Sequence, residues 1–92
     1  MRYVSKISTE QFELNSEGLT GYIRQRHENN KSRLDVSLMQ FRCNCPELVI
    51  HSQFVDGAIT GEHLANAYSL LMDVKKCEEK WNNWKNLKEE HN

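Results

Sequence analysis

At 92 residues the chain suits a single domain spanning 1–92, and its core must be thin, because a chain this short hides only roughly two thirds of the surface its unfolded state exposes. Hydrophobic residues at 38%, charged residues at 27% and one proline exclude the disordered and fibrous classes, and no apolar run nears the roughly 18 residues that a membrane span needs. The formal charge of −1 divides into +2 over residues 1–42 (seven Lys/Arg against five Asp/Glu) and −3 over 43–92 (five against eight), too little asymmetry for a strong nucleic-acid binder or an acidic mimic of one.

The start of the chain, Met1 to Ile7, lacks the apolar stretch of a signal peptide, and Arg2 to Ile7 reads instead as a short strand. Three cysteines, Cys43, Cys45 and Cys77, make an odd number. With nothing pointing to secretion, the expectation is a cytoplasmic protein with reduced thiols and no structural disulfide. Ser8 and Gln11 have capping-box spacing, although Phe12-Glu13-Leu14 could equally prolong an extended segment.

Leu19, Tyr22, Ile23 and Arg26 recur at three and four residues, which predicts a helix from about Ser16 to Glu28, weakened by Gly18 and Gly21. The polar run Glu28-Asn29-Asn30-Lys31-Ser32 ends it, since asparagine tolerates left-handed backbone. From Arg33 to Val55 the pattern predicts a β-hairpin. Leu34, Val36 and Leu38 alternate with polar residues, and a bulge near Leu38-Met39 would bring Met39, Phe41 and Cys43 back to the same face. A helix from Ser32 with Leu34, Leu38 and Phe41 on one stripe competes for residues 33–43. Leu48 to Val55 is β-rich and lies between the turn signals Asn44-Cys45-Pro46-Glu47 and Asp56-Gly57.

Thr60 is a good N-cap for a long final helix, 61–90, in which Leu64, Ala67, Tyr68, Leu71, Val74, Cys77, Trp81, Trp84 and Leu87 share one face. The fold class read from these elements is α+β, in the order β-α-β-β-α, with the long C-terminal helix packed on a short antiparallel sheet. Such a helix measures about 45 Å, whereas a compact domain of this length has a diameter on the order of 32 Å. The part from about residue 81 to 92 therefore either protrudes into an interface or bends, so that Trp81 and Trp84 close the core. Tryptophan is enriched among interface hot spots, which favours the first reading.

Other constellations carry less. Arg24, Arg26, His27, Lys31 and Arg33, with Glu28 among them, give +3 over residues 24–33, a cluster that can grip phosphates or an acidic protein surface. Cys43, Cys45, His51 and His63 are four weak candidates for a metal site, without a recognised zinc spacing. No phosphate loop, nucleophile elbow or His-Glu-x-x-His pair is present, so neither catalysis nor a cofactor is expected, and Cys77 falls on the apolar stripe. The leading expectation is a non-enzymatic protein-binding module, an adaptor, regulator or inhibitor of a larger partner such as a phage or mobile-element accessory protein, able to form a homodimer. Its contact residues would be Tyr68, Leu71, Val74, Trp81, Trp84 and Leu87, aided by Arg24, Arg26 and Arg33. The alternative is nucleic-acid binding through residues 24–33.

Overall fold

Strand propensity prevails over the first half of the chain. In the computed structural model, which describes residues 6–90, four strands are followed by two helices: β1 (Lys6–Glu13), β2 (Leu19–Glu28), β3 (Lys31–Gln40), β4 (Leu48–Asp56), α1 (Gly61–Met72) and α2 (Val74–Glu90). The strands form one antiparallel sheet in the order β1-β2-β3-β4. The α+β class holds, but the order is β-β-β-β-α-α, and two expectations are corrected.

The first correction concerns residues 16–28, expected to be helical and observed as β2. Leu19, Tyr22, Ile23 and Arg26 satisfy helical spacing, yet β2 is a central strand buried on both faces from Leu19 to Ile23. A strand buried on both sides loses the polar alternation that would have announced it. The asparagines after it do adopt left-handed backbone, with Asn29 at φ 58°, but they turn a β-hairpin rather than end a helix. In β1 the extended alternative for Phe12-Glu13 is the one realised; the expected strand over residues 2–5 lies outside the described residues.

The second correction concerns the final helix, which breaks at Asp73 (φ −83°, ψ 69°). Asp73 closes α1 and also starts α2, its Oδ1 accepting the Lys76 backbone N–H at 3.3 Å, the bond of an N-capping aspartate. Helices of 12 and 17 residues replace one of 30; at about 18 and 26 Å each is shorter than a ten-residue strand of roughly 33 Å, and both can lie against the sheet. At the start of α1, the Thr60 backbone N–H donates to His63 Nδ1 at 3.1 Å, a capping-box arrangement with histidine in the acidic position.

The register defines two sheet faces. Residues paired across strands point the same way, which places Phe12, Leu19, Gly21, Ile23, Leu34, Val36 and Leu38 on the face under the helices. Of these, Leu19, Ile23, Leu34, Val36 and Leu38 make the core with Ala67, Leu71, Cys77 and Trp81, and Phe12 packs against it. A Cβ on Gly21 would stand 2.7 Å from Leu71 Cδ2, so the glycine leaves room for the Leu71 side chain of α1 against β2. The bulge expected near Leu38-Met39 is absent: β3 pairs with β2 without a break through Gln40, and the extra residue in the β3–β4 ladder is Ile50 on β4. Leu34, Val36 and Leu38 stay on one face, Met39 stays on the other, and the register shift falls between Val36 and Ser37 in the β3–β4 ladder.

Candidate binding surface

Among the described residues no helix lies on the outer face of the sheet, and its two ends differ. At one end Thr20, Tyr22 and Ser37 are buried although they point away from the helices. The loop between β3 and β4 lies at this end: Cys43 and Cys45 pack against the hydrophobic core, and Glu47 pairs with Arg24 at 2.7 Å. Tyr22 donates its hydroxyl to Met39 Sδ at 3.8 Å. Ser37 is 0% exposed and its hydroxyl has no hydrogen-bond partner.

At the other end the Asn29-Asn30 turn sets Arg26 directly opposite Arg33, and the register extends this pair to Ile7 on β1 and Phe54 on β4. The row Ile7–Arg26–Arg33–Phe54 crosses all four strands, about 14 Å at the usual strand spacing. Ile7 is 60% exposed and Phe54 75%. Arg33 is held in place: its Nε donates to Asp35 Oδ1 at 2.9 Å, an oxygen that also accepts the Ser52 hydroxyl at 2.5 Å, and its guanidinium stands 5.4 Å from the Phe54 ring centre. Arg26 is exposed and has no ion pair among the described residues. Arg26, Glu28, Lys31, Ser32, Arg33 and Phe54 surround a shallow hollow of about 230 Å³. His27, also in the basic segment, turns to the inner face and meets Ser32 Oγ at 2.7 Å.

The arrangement has a cost. Like charges directly opposite on adjacent strands destabilise a sheet, and an exposed phenylalanine beside them recovers nothing from burial. Arg24, Arg26 and Arg33 are therefore brought to one face, where Lys31, Ile7 and Phe54 join them. Ile7 and Phe54 were not singled out from the sequence. Their signal was parity: each lies on the strand face that carries the arginines, which only the correct assignment of β2 as a strand reveals.

The helix residues expected at an interface behave differently. Leu71 and Trp81 are buried, Trp81 at 2% exposure with its Nε1–H donated to Gln40 Oε1 at 3.1 Å. Trp84 is half-buried, its ring 5.0 Å from that of Trp81. Tyr68 meets Phe12 edge to face at 5.5 Å and donates its hydroxyl to Glu10. That hydrogen bond, with desolvation and the carboxylate's charge adding to it, holds the phenol above its ordinary pKa. Val74 is half-buried, and Leu87 alone among these residues is mainly exposed, at 56%. Asn15 Nδ2 donates to Glu78 Oε1 at 2.9 Å, tying α2 to the β1–β2 loop.

The metal candidates do not converge. Cys43 and Cys45, in the β3–β4 loop, are joined to each other with Cα atoms 5.1 Å apart, within the span that a disulfide bridges, which corrects the expectation that all three thiols stay reduced. His63 caps α1, and His51 lies on β4. Among the described residues no three His, Cys, Asp or Glu side chains are placed to share a metal ion. Cys77 is buried against the Leu70 carbonyl, 3.3 Å from Sγ. Burial raises its thiol pKa, with Asp73 and Glu78 adding to the effect and Lys80 opposing it. No helix among the described residues is long and apolar enough to cross a membrane. Compared with protein-family models, with curated proteins and with solved structures, the chain has no match.

Proposed function

We propose that this chain is a small non-enzymatic binding module, an adaptor, regulator or inhibitor of a larger protein, which it contacts through the hairpin end of its outer sheet face. The observation that carries this reading is the exposed row Ile7–Arg26–Arg33–Phe54. Arginine and aromatic side chains are enriched in protein interfaces and among their hot spots. Here an immobilised guanidinium, a free one and an uncovered ring stand side by side on a rigid sheet. A partner offering a carboxylate to Arg26 and an apolar group to Phe54 would relieve the Arg26–Arg33 repulsion and bury the ring together.

The chemistry of the surroundings favours a protein over nucleic acid. Glu28, Asp35 and Asp56 occupy the same face as the arginines and Lys31, so a polyphosphate backbone laid across it would meet carboxylates as well as cations. Nucleic acid is the second reading, because Phe54 with Arg33 beside it is a surface on which a base could stack.

Capture from native host cells at mild salt tests the choice, using the wild-type chain beside an Arg26→Ala/Phe54→Ala variant and a Leu87→Ala control. A protein retained by the wild type and the control but lost by the double variant supports the reading. Retention of nucleic acid alone, with affinity falling steeply as salt rises, replaces it with the alternative. Equal capture by all three chains removes the outer face from consideration.

A further inference from the structure

We propose that two copies of this chain associate by antiparallel pairing of β4 with β4, making one continuous eight-stranded sheet. The two edges of the sheet differ in chemistry. β1 carries Glu10 and Glu13 among its eight residues, the kind of charge that discourages strand addition. β4 runs from Leu48 to Val55 without a charged residue, and Asp56 comes only at its end. An unpaired edge of that length with no charge, no internal proline and β-rich composition is a template for another strand.

α2 reaches β4 but covers it incompletely. α1 packs over β2 and β3, and between β4 and the helices lies a groove of about 670 Å³ lined by Ile50 and Gln53 from β4 and by Leu70, Cys77, Lys76 and Lys80 from the helices. A fifth strand laid beside β4 would border this groove and narrow its open side. The register shift opposite Ile50 bends the first part of β4, leaving His51 to Asp56 as the straight stretch, centred near Gln53.

A second copy fits this edge on charge. Antiparallel pairing about Gln53 sets uncharged residues against uncharged residues throughout and sends the two Asp56 carboxylates to opposite ends, so no like charges meet. Pairing in this register brings Phe54 beside Ser52 of the other copy on the outer face, so the two arginine–phenylalanine rows would adjoin across the two-fold axis.

Sedimentation equilibrium tests the proposal with the wild type, Gln53→Lys and Gln53→Glu. The wild type is expected to be dimeric, each variant monomeric at the same concentration with unchanged far-UV circular dichroism, and the equimolar mixture dimeric again as lysine meets glutamate across the axis. A wild type that stays monomeric overturns the proposal, as do variants that dimerise like the wild type. Should either variant unfold, amide hydrogen exchange of the wild type decides: protection of β4 that rises with protein concentration supports the pairing, and protection independent of concentration excludes it.

Discussion

The two ends of the outer sheet face are made from the same strands with the same alternation, yet one is covered and the other open. At the loop end Tyr22, Thr20 and Ser37 are buried and Arg24 is neutralised by Glu47. At the hairpin end Ile7 and Phe54 stand in solvent and Arg26 faces a second arginine. The first end contributes to stability. The second takes something from it, and surface that a fold retains against its own stability is where contact with another molecule is to be sought.

Substitutions at the two ends should separate these roles, and the largest effect is expected at the covered one. Tyr22→Ala removes a buried ring and should cost about 3 kcal/mol of unfolding free energy in a urea titration. Phe54→Ala, the same loss of a ring at the open end, should stay within about 0.5 kcal/mol. Similar costs for both would erase the distinction. Next comes Arg24→Ala, which leaves the largely buried Glu47 carboxylate without its partner and should lower stability by about 1 kcal/mol.

The covered end also holds a defect whose repair should be visible. Ser37 keeps a hydroxyl out of water with nothing to bond, so Ser37→Ala should raise stability by up to about 1 kcal/mol; a fall in melting temperature would show that the hydroxyl has work to do. The smallest effect is expected at the open end. Arg26→Thr removes the facing charge and substitutes a good strand former, for a gain of roughly 0.2–0.5 kcal/mol.

Much of the second half of the sheet was legible from residue pattern. Leu34, Val36 and Leu38 alternate as a half-buried strand must, and Leu48 to Asp56 stands between turn residues that fix both its ends. β2 was not legible, because a strand buried on both faces and containing two glycines nearby offers apolar residues at every spacing, and the three-and-four pattern is among them. The break at Asp73 was missed for a different reason. Aspartate is tolerated within helices, and its capping role shows only once α1 and α2 are seen to diverge there. That break also decides the tryptophans: arithmetic on a straight 30-residue helix drives Trp81 past the edge of the domain, whereas α2, restarted at Val74, brings its indole to Gln40. Of the candidate surface, the arginines were legible as a cluster. Their grouping with Ile7 and Phe54 was not, since it depends on register across four strands.

The most direct test of the contact surface is a paired measurement on Arg26→Thr/Phe54→Ala: its melting temperature, and its affinity for whatever protein the wild-type chain captures. The expected result is a melting temperature equal to or above that of the wild type together with at least about tenfold weaker binding, the loss of one hot-spot contact. Wild-type affinity in a folded double variant would contradict the account, and so would a variant that loses binding only because it has lost its fold.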